Sequence, residues 1–376
     1  MALIKEVKYS YNDVSIIPCV TTDIEHRREC VPVDENGMLP LFTSPMDTVV
    51  NETNYEKFES ELIYPILPRT VSLEKRVSRS TSGYWAAYSL DEFEMIFCDK
   101  DEVLKSGGKI FALIDTANGH MKKILEVVEK ARKVYGDDIV IMAGNVANPE
   151  TYLEYAKAGV DYARLSIGTG GGCLTTPLTG IHYGIASLID ETAWLRKTTL
   201  NPNYYENVLK GDYEGKYKRI PKIVADGGIR DYGDIMKALA LGADYVMCGT
   251  IFASMLESAA PKFDWDGNEI ESYDGMKRGE DGMWYQDGEL VGELTLDFYG
   301  MASREGQIAL NGSKTRTSEG LKKKLTAKYT MHGWVDNFIG LLRSCMSYLD
   351  AHNLKEIGFK AVLVLNSEGT KAAVNK

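Results

Sequence analysis

The sequence predicts an α/β protein folded as a (β/α)₈, or TIM, barrel. Short β-rich runs recur about eight times, most of them are separated by about twenty residues or a little more, and several of the gaps hold amphipathic helical patterns. Apolar strands that alternate with such helices pair in parallel through right-handed crossovers. Eight units of this kind close into a barrel.

The elements follow one another in a regular order along the chain. The β-rich runs are PLFTSPM near Leu41, LIYPIL near Ile63, YWAAY near Tyr84, KIFALID near Ile110, DIVIMAG near Ile139, DYARLSIG near Tyr162, PKIVADGG near Ile223 and DYVMCGT near Tyr245. Helical patterns follow Asn118, Asn148 and Tyr232. A doubly wound sheet is the alternative, but such a sheet more often begins with a glycine-rich turn after its first strand. Here SPMDTVV follows the first strand, which favours the barrel.

We predict a single domain over residues 1–376, with two insertions and no tandem repeat. Residues of about 186–220 are long for a βα connection, and residues of about 262–295 are rich in Gly, Asp and Glu with repeated DG pairs. Both segments are predicted to be surface insertions or lids. The pattern over about 331–352 predicts a C-terminal helix that packs on the barrel wall.

Composition excludes several classes of function. The 376 residues are 44% hydrophobic and 26% charged, with a net charge of −11. This charge argues against nucleic acid or an anionic membrane surface as a partner, while a small anion in a local pocket stays open. No apolar run is long enough to span a bilayer, and the first residues lack the order of a signal peptide, so we expect a cytoplasmic protein. The scattered cysteines are predicted to be free thiols: Cys19, Cys30, Cys98, Cys173, Cys248 and Cys345.

The stretch GTGGGCLTTPLTG, residues 168–180, is the most unusual loop. Glycines allow positive φ and a close backbone approach, and threonines supply hydroxyls that hold or move a proton. Cys173 is therefore a candidate nucleophile, with Thr175 and Thr176 within loop reach and His182 as a further candidate base. The alternative is a glycine-rich surface turn with an incidental cysteine, and for His182 a structural or solvent-facing role.

The loops after the last two strands predict a phosphate cradle. They are Asp226-Gly227-Gly228 and Gly249-Thr250, and a carboxylate beside such glycines suits the paired hydroxyls of a ribose. Tight turns with an aspartate N-cap are the alternative. Asp115, Asn118 and Asn145 end neighbouring strands, where they could orient a second planar ligand or act as helix caps.

With these residues assembled, the chain resembles the family of inosine monophosphate dehydrogenase and guanosine monophosphate reductase. The resemblance rests on segments in the same order over most of the length: YNDVSIIP, PLFTSPMDTV, IDTANGH, IMAGNV, AGVDYARLSIGTGGGCLTTPLTG, IVADGGIRDYGDIMKALALGADYVMCGT, FYGMAS and SEGLKKKL. It implies that Cys173 forms a covalent adduct with purine C2 and that Thr175, helped by Glu305, assists proton transfer.

The resemblance also implies the binding residues. The purine nucleotide would be held by Ser44, Met46, Asp226, Gly227, Gly228, Gly249, Thr250, Tyr299, Gly300 and Met301. The nicotinamide cofactor side would be lined by Asp115, Asn118, Asn145 and Arg164. A potassium ion on the carbonyls of Gly168, Gly170 and Cys173 is a further expectation from the family, as is a homotetramer.

Of the two reactions, the sequence favours NADPH-dependent reductive deamination of GMP to IMP. The segment between FYGMAS and SEG is short, RTSEG lacks the dehydrogenase's Arg-Tyr pair, and the chain before Ile110 has no room for the usual paired regulatory modules, the CBS modules. SPMDTV and Arg164 look more like the dehydrogenase, which oxidises IMP with NAD, and this is the alternative.

Three positions depart from the family pattern. The carboxylate that reductases carry after the GMSS-type motif aligns with Arg304, which leaves Glu305 one place displaced. Gly171 stands where the family usually has a phosphate-binding serine, and Pro177 stands where an arginine or another polar residue is common. They motivate a third hypothesis, a divergent purine-nucleotide-binding barrel with reduced activity.

Overall fold

The computed structural model describes residues 6–98, 108–200, 219–313 and 317–374. Within these ranges the strands are β1 (Val14–Ile17), β2 (Leu41–Thr43), β3 (Trp85–Tyr88), β4 (Ile110–Asp115), β5 (Ile139–Val146), β6 (Tyr162–Leu165), β7 (Lys222–Asp226), β8 (Tyr245–Cys248), β9 (Lys262–Phe263), β10 (Met276–Arg278), β11 (Trp284–Gln286), β12 (Glu289–Gly292), β13 (Thr295–Tyr299), β14 (Lys322–Thr326) and β15 (Val362–Leu365).

The α-helices in the same ranges alternate with the strands through the first two thirds of the chain. They span Tyr55–Ser60, Leu73–Thr81, Leu90–Phe97, Lys122–Tyr135, Pro149–Ala158, Thr175–Thr179, Ile185–Leu195, Tyr232–Ala240, Thr250–Ala253, Arg304–Asn311, Met331–Tyr348, Leu354–Lys360 and Glu368–Val374. Side-chain caps begin several of them, such as Ser89, which accepts a hydrogen bond from the amide of Glu92.

The main sheet is parallel, with the order β2-β8-β7-β6-β5-β4-β3. Residues 63–67 lie between its two ends: the amide of Tyr64 donates to the carbonyl of Leu41 over 3.0 Å, and the amide of Leu67 donates to the carbonyl of Trp85 over 3.1 Å. Pro65 lies within this segment and has no N–H to donate, so the pairing is reduced to isolated bridges. The segment closes the ring, and the α/β barrel expected from the sequence is confirmed.

Aromatic side chains fill the interior of the barrel toward the N-terminal ends of its strands. Phe42 packs edge-on against Trp85 with ring centroids 5.6 Å apart, within a buried cluster of inward-facing residues. At the N-terminal ends of the strands, Asp34 accepts hydrogen bonds from the hydroxyls of Tyr64 and Tyr245, at 2.7 and 2.8 Å. This end of the barrel is therefore plugged, which leaves the C-terminal ends of the strands for a ligand.

The first predicted insertion, 186–220, differs from the structure at its start. Residues Ile185–Leu195 form a barrel helix whose Ala186, Leu188 and Ile189 are buried, so this part belongs to the core. The apolar face of this helix was not recognised in the sequence, because a polar segment follows it directly. Residues 201–218 of the predicted insertion lie outside the described residues.

The second predicted insertion, 262–295, folds as antiparallel sheet rather than as an irregular excursion. β10, β11 and β12 form one sheet, and β9, β13 and β14 form another. Trp284 is fully buried in a small apolar core there and donates its indole N–H to the carbonyl of Ala327 over 3.0 Å. The insertion thereby packs against β14 and the residue that follows it, Ala327.

The C-terminal helix spans Met331–Tyr348 and has a buried apolar stripe. Trp334 stacks on Tyr232 with ring centroids 5.0 Å apart and meets Phe252 edge-on at 5.5 Å. The helix thus packs on the outside of the barrel, next to the helix Tyr232–Ala240. Near the chain ends, β1 pairs antiparallel with β15.

Candidate active site

The loop that follows β6 carries Cys173 and is tied to a distant segment of the chain. The amide of Leu174 donates to the carbonyl of Glu319 over 2.7 Å, and the amide of Leu321 donates to the carbonyl of Gly172 over 2.9 Å. These bonds form a short antiparallel ladder across the bridge between Cys173 and Gly320. The loop packs closely on β13 here, since a Cβ added to Gly172 would lie 3.1 Å from the ring of Phe298.

A hydrogen-bonded chain runs through the side chains of this ladder. The thiol of Cys173 donates to Thr175 Oγ1 over 3.3 Å, and Thr175 Oγ1 donates to Glu319 Oε2 over 2.7 Å. The cysteine is half-buried, so it is both held by the loop and open to a ligand. A proton can pass from the thiol through the hydroxyl to the carboxylate.

The carboxylate on Thr175 is that of Glu319 and not that of Glu305, which the resemblance implied. Glu305 lies in the first turn of the helix Arg304–Asn311. Glu319 lies 144 residues from Thr175 along the chain, so only the fold brings the two together. The sequence signal was the SEG triplet itself, which contributed to the resemblance without being given a role.

Four predicted residues meet at the ends of β4, β5, β6 and β7. Arg164 donates through Nε to Asp226 Oδ2 over 2.9 Å and through a terminal nitrogen to Asp115 Oδ1 over 2.6 Å. Asn145 donates to the same Asp226 oxygen over 2.8 Å. Burial opposes the charge of Arg164, but the two carboxylates more than offset burial and raise its pKa. The network fixes Asp226 at the mouth of the barrel.

The predicted phosphate side also comes together. A Cβ placed on Gly249 would lie 3.2 Å from Ser44 Oγ and 3.5 Å from the sulfur of Met46, so the loops after β2 and β8 are in contact. Gly227 and Gly228 have φ angles of +83° and +75°, which glycine adopts without strain.

The predicted trio Tyr299, Gly300 and Met301 lies at the end of β13, where Tyr299 is the last residue of the strand. The hydroxyl of Tyr299 donates to Asp47 Oδ2 over 3.1 Å. Burial raises the pKa of Asp47 and of Tyr299. The backbone of Gly300 lies against Gly172, 3.8 Å from the position of a Cβ there. Gly300 therefore borders the cysteine loop, and Tyr299 contacts the loop after β2.

Two further candidates are exposed, and the cation expectation stays a prediction. Asn118 is exposed and accepts a hydrogen bond from the amide of His120, and His182 is exposed beside Thr176. The carbonyl of Gly170 accepts a hydrogen bond from the amide of Cys173 over 2.9 Å, and that of Gly168 accepts one from Thr176 over 3.4 Å.

A cavity of about 700 Å³ opens beside Glu319. Arg69, Glu92, Ala117 and Gln307 are among the residues that line it. Arg69 Nε is buried there without a hydrogen bond among the described residues, but it lies 3.9 Å from Glu92 Oε2 in an ion pair. Sequence reasoning missed Arg69, because an arginine after an apolar run carries no signal of its own.

Among the described helices, none is long and apolar enough to cross a membrane. The ring of parallel strands, with a thiol, a hydroxyl and a carboxylate linked at its C-terminal end, defines a class: a (β/α)₈-barrel enzyme with its reactive groups on the βα loops. Comparison with known proteins identifies the family. The family described as "IMP dehydrogenase / GMP reductase domain" matches residues 97–374.

Some of the similar proteins are named IMP dehydrogenases and others are named GMP reductases. The chain is 32% identical over 257 residues to inosine-5'-monophosphate dehydrogenase of Chlorobaculum parvum, covering 68% of this chain and 45% of that protein. It is 30% identical over 286 residues to GMP reductase of an Exiguobacterium species, covering 71% of this chain and 77% of that protein. GMP reductase of Streptococcus suis is 28% identical over 278 residues. The chain belongs to the IMP dehydrogenase/GMP reductase family of oxidoreductases.

Proposed function

We propose that the protein is an NADPH-dependent GMP reductase, which converts GMP to IMP and releases ammonia. The observation that carries the proposal is the chain from Cys173 through Thr175 to Glu319, beside a cavity of about 700 Å³. Enzymes of the family act on purine nucleoside monophosphates with a nicotinamide dinucleotide. The match spans less than half of the Chlorobaculum dehydrogenase, so we state the complete reaction of this chain as a proposal.

The chain of hydrogen bonds accounts for the proton in the first step. As the sulfur of Cys173 bonds to C2 of GMP, the thiol proton moves through Thr175 to Glu319. Glu319 returns this proton through Thr175 to the departing amino group, which leaves as ammonia. The products are a thioimidate on Cys173 and ammonia, so atoms and charge balance.

The second step consumes the reductant. NADPH, when bound, supplies a hydride, which adds to C2, and the carbon–sulfur bond then breaks to give IMP. The thiolate of Cys173 takes up a proton from solvent through the same residues. Thr175 and Glu319 thus serve both halves of the reaction.

The mouth of the barrel suits the nucleotide. Among the described residues, Asp226 accepts its two side-chain hydrogen bonds through Oδ2, which leaves Oδ1 for a ribose hydroxyl. Gly228 and the Gly249-Thr250 turn would then receive the phosphate, and Ser44, Met46 and the Tyr299–Met301 segment would border the base. Asp115 and Arg164 act by holding Asp226.

The cavity beside Glu319 suits the cofactor. It adjoins the carboxylate of the proton chain, and Arg69 within it, whose Nε is ion-paired with Glu92 but makes no hydrogen bond, could donate to a phosphate oxygen of a dinucleotide. Asn118 and Asn145, at the neighbouring strand ends, would face the nicotinamide. Potassium on the carbonyls of Gly168, Gly170 and Cys173, a homotetramer, a cytoplasmic location and a single-domain chain complete the proposal, and they rest on the resemblance and the composition.

IMP dehydrogenase is the second candidate, and Arg164 favours it. The short connection from Gly300 to Ser318 supports the reductase: its described residues contain one helix, Arg304–Asn311, and its sequence has no Arg-Tyr pair for activating water. A nucleotide-binding barrel without turnover is the third candidate, motivated by Gly171 and Pro177.

The test measures how much ammonia is released for each NADPH oxidised when the purified full chain is incubated with GMP and NADPH. We expect one ammonia for each NADPH oxidised and, in acid-quenched samples, a Cys173 peptide heavier by GMP minus ammonia. Binding of GMP with neither ammonia release nor NADPH oxidation would contradict the proposal and favour the third candidate.

A further inference from the structure

β14 begins with three consecutive lysines, and their side chains do not share one environment. Lys322 Nζ forms an ion pair with Asp297 Oδ2 over 2.8 Å. Lys324 Nζ lies over the ring of Phe263, 5.3 Å from its centroid. Because side chains alternate along a strand, Lys323 points to the other face of the sheet. That face is the one toward the loop that carries Cys173.

Lys323 brings a positive charge to this loop without a carboxylate to balance it. Its Nζ donates to the carbonyl of Gly171 over 2.9 Å and lies 5.4 Å from the centroid of the Phe298 ring. Among the described parts of the chain, no carboxylate forms an ion pair with it. A half-buried ammonium held by a neutral carbonyl retains capacity to bind an anion.

The ammonium meets a hydroxyl from the loop after β8. A Cβ placed on Gly171 would lie 3.1 Å from Thr250 Oγ1 and 3.2 Å from Lys323 Nζ. The two polar groups therefore border the same small space, which exists only because position 171 has no side chain. An oxygen atom placed there would have an ammonium and a hydroxyl as donors.

A dianion fits this space better than any neutral group. The chain carries a net charge of −11, so a phosphate needs a local cation to offset repulsion by the rest of the protein. Arg164, a strong cation at the same end of the barrel, is already shared between Asp115 and Asp226. Lys323 is thus the available charge beside Thr250.

We propose that Lys323 binds the phosphate of the purine nucleoside monophosphate, in the space that Gly171 leaves open, and makes the enzyme select nucleotides over nucleosides. The inference rests on the proposed function for the identity of the ligand. Lys323 would supply the positive charge for the phosphate, because the glycine turns at Gly228 and Gly249 offer only backbone groups.

The test compares IMP with inosine by isothermal titration calorimetry on the full chain and its variants. IMP is a ligand in both the reductase and the dehydrogenase reactions, so the test does not depend on which one operates. For Lys323→Met we expect IMP to bind about 10- to 100-fold more weakly, as for loss of a charge-assisted hydrogen bond. We expect inosine binding to be unchanged, because inosine has no phosphate.

The matched control is Lys324→Met on the opposite face of the same strand. It removes the same charge from the chain and should leave IMP affinity unchanged within about twofold. Thermal unfolding of both variants would confirm that each one folds.

Gly171→Ala provides a second test. Its methyl group would push the end of the Lys323 side chain away, so it should weaken IMP binding in the wild-type background and have little further effect in Lys323→Met. The two substitutions should therefore be non-additive.

Three outcomes overturn the inference: equal loss of IMP affinity in both lysine variants, equal loss for IMP and inosine in Lys323→Met, or no loss in Lys323→Met. Absence of IMP binding in the wild type would overturn both the inference and the proposed function. Lys323-dependent IMP binding without turnover would contradict the proposed function alone.

Discussion

Replacement of Glu319 by glutamine should stop proton transfer while it preserves the site. The hydroxyl of Thr175 donates to Glu319 Oε2 over 2.7 Å, and glutamine retains an oxygen that can accept this bond. The carbonyl of Glu319 that accepts from Leu174 belongs to the backbone and is unaffected. The substitution therefore removes the ability to take up and return a proton and leaves the loop in place.

The magnitude follows from this single loss. General acid–base catalysis by one positioned group contributes about 10²- to 10⁴-fold, so kcat for Glu319→Gln should fall by that factor. This corresponds to about 3–5 kcal/mol in the activation barrier. Binding of IMP should change little, because the carboxylate belongs to the proton chain and not to the phosphate or ribose contacts.

The assay is the decrease of NADPH absorbance with GMP, with Glu305→Gln as the matched control. Glu305 lies on the helix Arg304–Asn311 and forms no hydrogen bond with Thr175 among the described residues, so its substitution should alter kcat by about twofold or less. The reasoning would be refuted if Glu305→Gln lowered kcat as much as Glu319→Gln, or if Glu319→Gln kept wild-type activity.

Three further predictions follow from the contacts described above. Cys173→Ala should abolish turnover and leave the thermal unfolding temperature nearly unchanged, since one half-buried thiol is lost; measurable turnover would exclude covalent catalysis. Arg164→Met should lower the free energy of unfolding in urea by about 3–5 kcal/mol, because Asp115 and Asp226 lose their buried cation; a loss below about 1 kcal/mol would show that water replaces it. Burial lowers the pKa of Lys262 to about 8, so between pH 8 and pH 10 the unfolded chain holds a proton there that the folded protein has released, and stability rises with pH. The stability of the wild type relative to Lys262→Met should accordingly rise by about 2–3 kcal/mol from pH 7 to pH 10 in urea unfolding, and a flat difference would contradict the burial of the charge.

The barrel could be predicted from the sequence because each strand and its following helix have a local pattern. Even the weakest strand, LIYPIL, was recognised by its apolar residues, although Pro65 limits it to a few backbone hydrogen bonds. The start of the predicted insertion was misplaced at residue 186 because the local pattern there is not clear. The helix Ile185–Leu195 runs into a polar segment, and no local signal divides core from surface there.

The site could be predicted where one loop holds the residues, or where residues end neighbouring strands of the barrel, as Asn145, Arg164 and Asp226 do. Cys173 and Thr175 are two residues apart, so their contact is a local property. The contact of Thr175 with Glu319, that of Gly171 with Lys323, and the charge of Lys323 beside Thr250 depend on a ladder between distant segments. Pairing of this kind has no periodicity that a single sequence reveals.

The most direct test of the central claim is a paired absorbance assay on the purified full chain, with GMP and NADPH in one cuvette and IMP, NAD and potassium in the other. We predict loss of NADPH absorbance in the first cuvette, with ammonia released in equal amount, and no NADH in the second. Formation of NADH from IMP, with no oxidation of NADPH by GMP, would contradict it and identify the dehydrogenase reaction.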